Sequence, residues 1–139
     1  MVFNKIKTCL AALLMLAAGQ MAFAGQSGID PVALAVAENY FSALQSGDRQ
    51  ALLSLFGGHE RSRSEAQLSD PAYTQFLRDR YVNARLEIMD GGVKSGISYV
   101  DIKIWINDNE AFRERLVLKS SADPADSSLH IVARKELLD

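Results

Sequence analysis

The chain has 139 residues, 48% of them hydrophobic and 23% charged, with 15 Lys and Arg against 17 Asp and Glu for a net charge of −2. That balance lacks the excess of cations that a phosphate backbone demands, so nucleic acid is not expected as a partner. One cysteine and two histidines rule out a disulfide framework and leave no converging metal ligands, so neither metal nor cofactor is expected.

The first 24 residues read as a secretory signal peptide. Lys5 and Lys7 precede the uncharged run TCLAALLMLAAG, and Ala22-Phe23-Ala24 puts small residues where signal peptidase reads them, ahead of Gly25. A membrane span needs about 20 apolar residues; this run is shorter, so no stable anchor is expected after cleavage. Cys9 lies at the start of the run, where lipoprotein cleavage cannot use it, and leaves with the leader. Residues 25–139 are then one domain of 115 residues with 13 basic and 17 acidic side chains, expected in the periplasm or secreted.

Asp30 and Pro31 cap and start a helix whose apolar face runs through Ala33, Val36, Ala37, Tyr40, Phe41 and Leu44. Gly47 supplies its left-handed stop, and Asp48 caps a short second helix with Leu52, Leu53, Leu55 and Phe56. Residues 57–69 are polar and without period, and are expected to be a loop with His59-Glu60-Arg61-Ser62-Arg63 in solvent. Asp70-Pro71 opens a third helix with Tyr73, Phe76, Leu77 and Tyr81 along one side.

From residue 85 the period changes to two. Leu86 and Ile88 alternate with polar neighbours until Gly91-Gly92 breaks the run, and GGVKSG reads as a hairpin turn. Val100, Ile102, Ile104 and Ile106 take one face of the next strand; Tyr99, Asp101, Lys103 and Trp105 take the other. After the Asn107-Asp108-Asn109 turn, Phe112, Leu116 and Leu118 share a face opposite Arg113, Arg115, Val117 and Lys119. A last strand ends near Lys135, with His130 and Arg134 on its polar face. Helices followed by strands predict an α+β domain, its N-terminal helices on one face of a curved antiparallel sheet of about four strands.

The run YFSALQSGD, residues 40–48, followed by the apolar helix to Phe56, resembles the nuclear transport factor 2-like superfamily. That resemblance implies the cystatin-like cone shared with ketosteroid isomerase. It leaves function open, because the superfamily holds isomerases, dehydratases, hydrolases, transport factors and exported bacterial domains without known activity. Its enzymes line the cone with a carboxylate base and hydrogen-bond donors.

Two acids here share apolar faces: Glu114 with Phe112, Leu116 and Leu118, and Asp90 with Leu86 and Ile88. An acid held among apolar groups has its pKa raised and can serve as general base or acid. Tyr40, Tyr73 and Tyr81 could donate to an oxyanion. Glu114, Asp90 and Tyr40 are therefore the catalytic candidates, and Tyr40, Tyr73, Tyr81, Phe112 and Glu114 the pocket candidates. The alternative is that both acids lie near strand ends and turn into water.

On the outer sheet face, Trp105 and Tyr99 with Arg113 and Arg115 are interface candidates, fitted to a homodimer paired sheet to sheet. The inward surface is poor in polar groups. This favours a non-catalytic exported module, binding a small apolar molecule or a protein partner, over a cone-pocket enzyme of isomerase, dehydratase or hydrolase type.

Overall fold

A computed structural model describes residues 28–138. The expected leader, its expected cleavage site and Cys9 lie outside the described residues. Four helices, α1 (Pro31–Ser46), α2 (Arg49–Leu55), α3 (Gly58–Leu68) and α4 (Pro71–Tyr81), precede four strands: β1 (Arg85–Lys94), β2 (Ile97–Asn107), β3 (Glu110–Ser120) and β4 (Leu129–Leu137). The strands form one antiparallel sheet in chain order, with the helices packed on one face. The expected α+β architecture is the one observed.

The caps work as the sequence predicts. Asp30, Asp48 and Asp70 each accept a backbone N–H from the first turn of the helix that follows. Gly47 turns left-handed at φ +60°, and a Cβ there would stand 2.5 Å from the Thr74 carbonyl oxygen of α4. Only glycine allows the α1–α2 turn to pass so close to α4. The Gln45 amide then joins α1 to the end of α4 by donating to the carbonyls of Tyr81 and Ala84.

Residues 57–69 are not a loop. Gly58–Leu68 is a helix whose buried residues are Glu60, Ser64 and Leu68, four apart. The spacing is helical, but two of the three inward residues are polar, so a search for apolar period passes over it. Gly91-Gly92 does not end β1 either; the strand runs on to Lys94, and the turn is made by Ser95 and Gly96, both at positive φ.

Leu44, Phe56, Ile102 and Ile104 share one core, with Phe41 half-buried at its margin. Phe76 departs from the apolar side expected of α4 and is 52% exposed. Three bulges interrupt the sheet register. In β1, Ile88 faces Ile102 but Asp90 faces Asp101, leaving Met89 as the extra residue. In β4, Ile131 faces Leu118 and Ala133 faces Val117, leaving Val132 extra. Each extra residue reverses the alternation beyond it.

Candidate functional site

The β4 bulge builds the centre of the molecule. Because of Val132, Arg134 comes opposite Leu116 and points among the helices, instead of sharing an outer polar face with His130. Its Nε donates to Glu60 Oε1 at 2.5 Å, and its Nη1 donates to the Tyr40 hydroxyl at 3.2 Å. Tyr40 passes its own proton toward Glu114 Oε1 at 2.9 Å. Glu60 also accepts from Arg63 at 2.6 Å and from the Ser64 hydroxyl at 3.4 Å. The guanidinium lies 4.8 Å from the centre of the Phe56 ring, adding a cation–π contact.

Four elements therefore converge on one hydrogen-bonded chain: α3 gives Glu60, β4 Arg134, α1 Tyr40 and β3 Glu114. Burial pushes the Glu114 carboxyl up, against the pull of the Arg134 cation and the Tyr40 hydrogen bond. Burial also raises Tyr40 well above its ordinary value, and the neighbouring Glu114 charge adds to it. Burial opposes the charge on Arg134, yet Tyr40, Glu60 and Glu114 together outweigh it and raise its pKa. Among the described residues, no buried side-chain nitrogen or oxygen lacks a hydrogen-bond partner.

Little room accompanies this chemistry. The void among Leu44, Leu52, Phe56, Leu68, Leu77 and Arg134 measures about 10 Å³, the lower limit for a single water. Tyr73 is half-buried beside it and stacks on Phe76 at 6.0 Å. Tyr81 is buried, which raises its pKa, and Phe112 is half-buried at the core margin. Of the sequence-predicted site residues, Tyr40 and Glu114 touch directly. Asp90 does not join them: the Met89 bulge turns it to the face of Asp101, where it is exposed and accepts from the Gly91 amide.

The sequence reading missed Glu60 and Arg134. The i, i+4 spacing of Glu60, Ser64 and Leu68 was a usable signal for the first. A bulge with no glycine or proline to mark it hid the second.

On the outer face the predicted aromatics stand among cations. The Trp105 indole donates to Glu87 at 2.9 Å, with Lys103 Nζ 4.2 Å from its ring centre and the Arg85 guanidinium at 5.2 Å. Arg115 lies 4.3 Å over Tyr99 and grips both Asp101 oxygens, at 2.7 and 2.9 Å. At the Trp105 end, Lys103, Trp105, Asn109, Ala111, Arg113 and Leu137 line a groove of about 330 Å³.

His130 is more than the surface residue the sequence suggested. Its Nδ1 donates to the Ser54 carbonyl at 3.1 Å, while Nε2 meets Asp126 and Ser128, tying the 121–128 loop to α2. Hydrogen bonds from Ser128, with His130 adding to them, hold the Asp126 carboxyl down at about 2. Among the described residues there is no cluster of three or more metal-ligating acids, histidines or cysteines, and no helix long and apolar enough to cross a membrane.

Compared with protein-family models, curated proteins and solved structures, the chain finds no significant match in any of the three.

Proposed function

We propose that the protein is an exported, non-catalytic module of the nuclear transport factor 2-like kind that works by docking a protein on the outer face of its sheet. The capped helix pair of residues 37–56 and the helices-then-sheet order support the family reading. The leader-like first 24 residues support export.

The observation that supports the non-catalytic reading is the small void beside Arg134. A cone-pocket enzyme needs space beside its base, and the void next to Arg134 holds about 10 Å³. The Tyr40 proton is already directed at Glu114, and Arg134 is shared between Tyr40 and Glu60. Groups so paired stabilise one another, and the Tyr40 proton and the Arg134 Nε are already committed within the network. By the same limit on space, a protein on the outside is a better partner than a small apolar molecule within.

The enzyme reading draws on one feature, a carboxyl with a raised pKa beside a phenol. Titration with small apolar ligands such as indole and decanoate, followed by methyl NMR, separates the two. Inner methyls of Ile102, Ile104 and Leu116 should stay unmoved. Saturable shifts there would mean that the cone opens, and the docking module would give way to a pocket protein.

A further inference from the structure

The outer face of the sheet carries more cations than acids. Strand register puts Arg85, Lys103, Arg113, Arg115, Lys119 and Lys135 on the outer sheet face, against Glu87, Asp90 and Asp101, in a chain whose net charge is −2. Two of those acids are already engaged: Asp101 grips Arg115, and Glu87 accepts from Trp105. Lys103 and Arg85 flank the indole, and neither has an ion-pair partner among the described residues. The helical side is mixed: Glu38, Asp48, Glu65, Asp70 and Asp79 stand exposed beside Arg49, Arg61, Arg63 and Arg78.

We infer that the groove at the Trp105 end of the outer face receives an extended acidic segment of a partner protein, one carboxylate on Lys103 in the groove, another on Arg85 at the Trp105 ring beyond the lining, and an apolar side chain against Trp105 and Leu137. This rests on the outer-face docking reading and specifies the partner's chemistry. A groove of about 330 Å³ matches a few side chains of an extended peptide, not a globular surface. Glu136 at its rim is one opposing charge, outnumbered by the surrounding cations.

Other occupants fit less well. Back-to-back pairing of two copies would press like-charged faces together, which costs affinity. Head-to-tail pairing would set the basic face on a helical side of mixed charge, which offers it no complementary acidic surface. An anionic membrane would favour apolar side chains free to insert, but the Trp105 ring is flanked by cations and its N–H is taken.

Trp105 is the only tryptophan, so its emission reports on the groove directly. The probes are decaglutamate, phosphatidylglycerol vesicles and single-stranded oligothymidylate, with anisotropy of dye-labelled decaglutamate as an independent measure. Decaglutamate should change Trp105 emission saturably. Its affinity should fall roughly tenfold or more between about 0.01 and about 1 M salt, as the Debye length shrinks from about 30 to about 3 Å. Lys103→Glu should weaken binding by roughly tenfold, whereas Lys119→Glu, at the far end of the face, should leave it unchanged, with circular dichroism confirming both folds.

Equal loss in both variants would overturn the groove in favour of general charge attraction. A response to vesicles or oligonucleotide but not to decaglutamate would overturn the acidic segment while leaving the outer face in use. An emission shift with protein concentration alone, without any probe, would assign the face to a second copy. Silence to every probe overturns the inference; silence together with inner methyls that respond to apolar ligands overturns the docking reading as well.

Discussion

The Tyr40 hydroxyl donates to Glu114 Oε1 at 2.9 Å, joining α1 to β3 across 74 positions of chain. Burial is the largest influence on Glu114 and raises its pKa above the unfolded value of about 4.3. The folded state therefore holds this proton more tightly than the unfolded chain does. The stabilisation is complete below about pH 4.3 and is lost as pH rises through the folded-state pKa. Urea midpoints of wild type and Glu114→Gln across that range give the test. The difference between the two proteins should change with pH in this direction, and a constant difference would show that Glu114 titrates normally.

Arg134 is the hub of the buried network, and its loss leaves Glu60, whose side chain is 3% exposed, with only the largely exposed Arg63 as counter-ion. Arg134→Ala should cost about 3–5 kcal/mol, as expected when one member of a buried ion pair is removed. Arg134→Leu combined with Glu60→Leu should cost less than the sum of the two single changes, because each single change already removes the ion pair that the two share. Denaturant unfolding of all four proteins checks this, and additive losses would mean that the pair is not coupled.

Ile104 is fully buried, between Leu86 of β1 and Phe112 of β3. Ile104→Ala should cost about 2–5 kcal/mol, the usual range for emptying a packed site. A loss below about 1 kcal/mol in urea unfolding would contradict the burial of this face.

Gly47 carries the turn between the first two helices. Alanine there would meet the Thr74 oxygen at 2.5 Å and Arg78 Cγ at 2.7 Å, with φ at +60°. Strain from a left-handed alanine alone is about 1–3 kcal/mol, and the backbone contact adds to it. Gly47→Ala should thus lower stability more than Gly96→Ala, where a Cβ meets nothing although φ is +75°. Equal losses would attribute the whole effect to φ.

The proposal of export rests on the leader-like first 24 residues alone. N-terminal sequencing of the cell-envelope or secreted fraction should begin at Gly25. An intact Met1 in that fraction would refute cleavage.

Much of the fold was legible because the elements obey local rules. Aspartate caps, Pro31 and Pro71, Gly47 and the clean alternation through Val100, Ile102 and Ile104 each state one backbone preference. The candidate site was half legible: Glu114 and Tyr40 stand out as polar groups on apolar faces. Glu60 was hidden because its helix buries polar residues and so lacks an apolar period. Arg134 and Asp90 were misassigned for one shared reason, a bulge that inserts Val132 or Met89 and exchanges the faces beyond it. A bulge is set by packing against neighbouring strands and helices, and nothing local to Met89 or Val132 announces it.

The claim on which the rest depends is that the interior is closed around the Tyr40–Glu114–Arg134–Glu60 network. Methyl NMR under xenon pressure tests it most directly, since xenon enters apolar cavities far larger than the 10 Å³ found beside Arg134. The methyls of Leu44, Leu52, Leu68 and Leu77 should keep their shifts as xenon is added. Saturable xenon-dependent shifts at those four residues would reveal a ligand-sized cavity and contradict a closed, non-catalytic core.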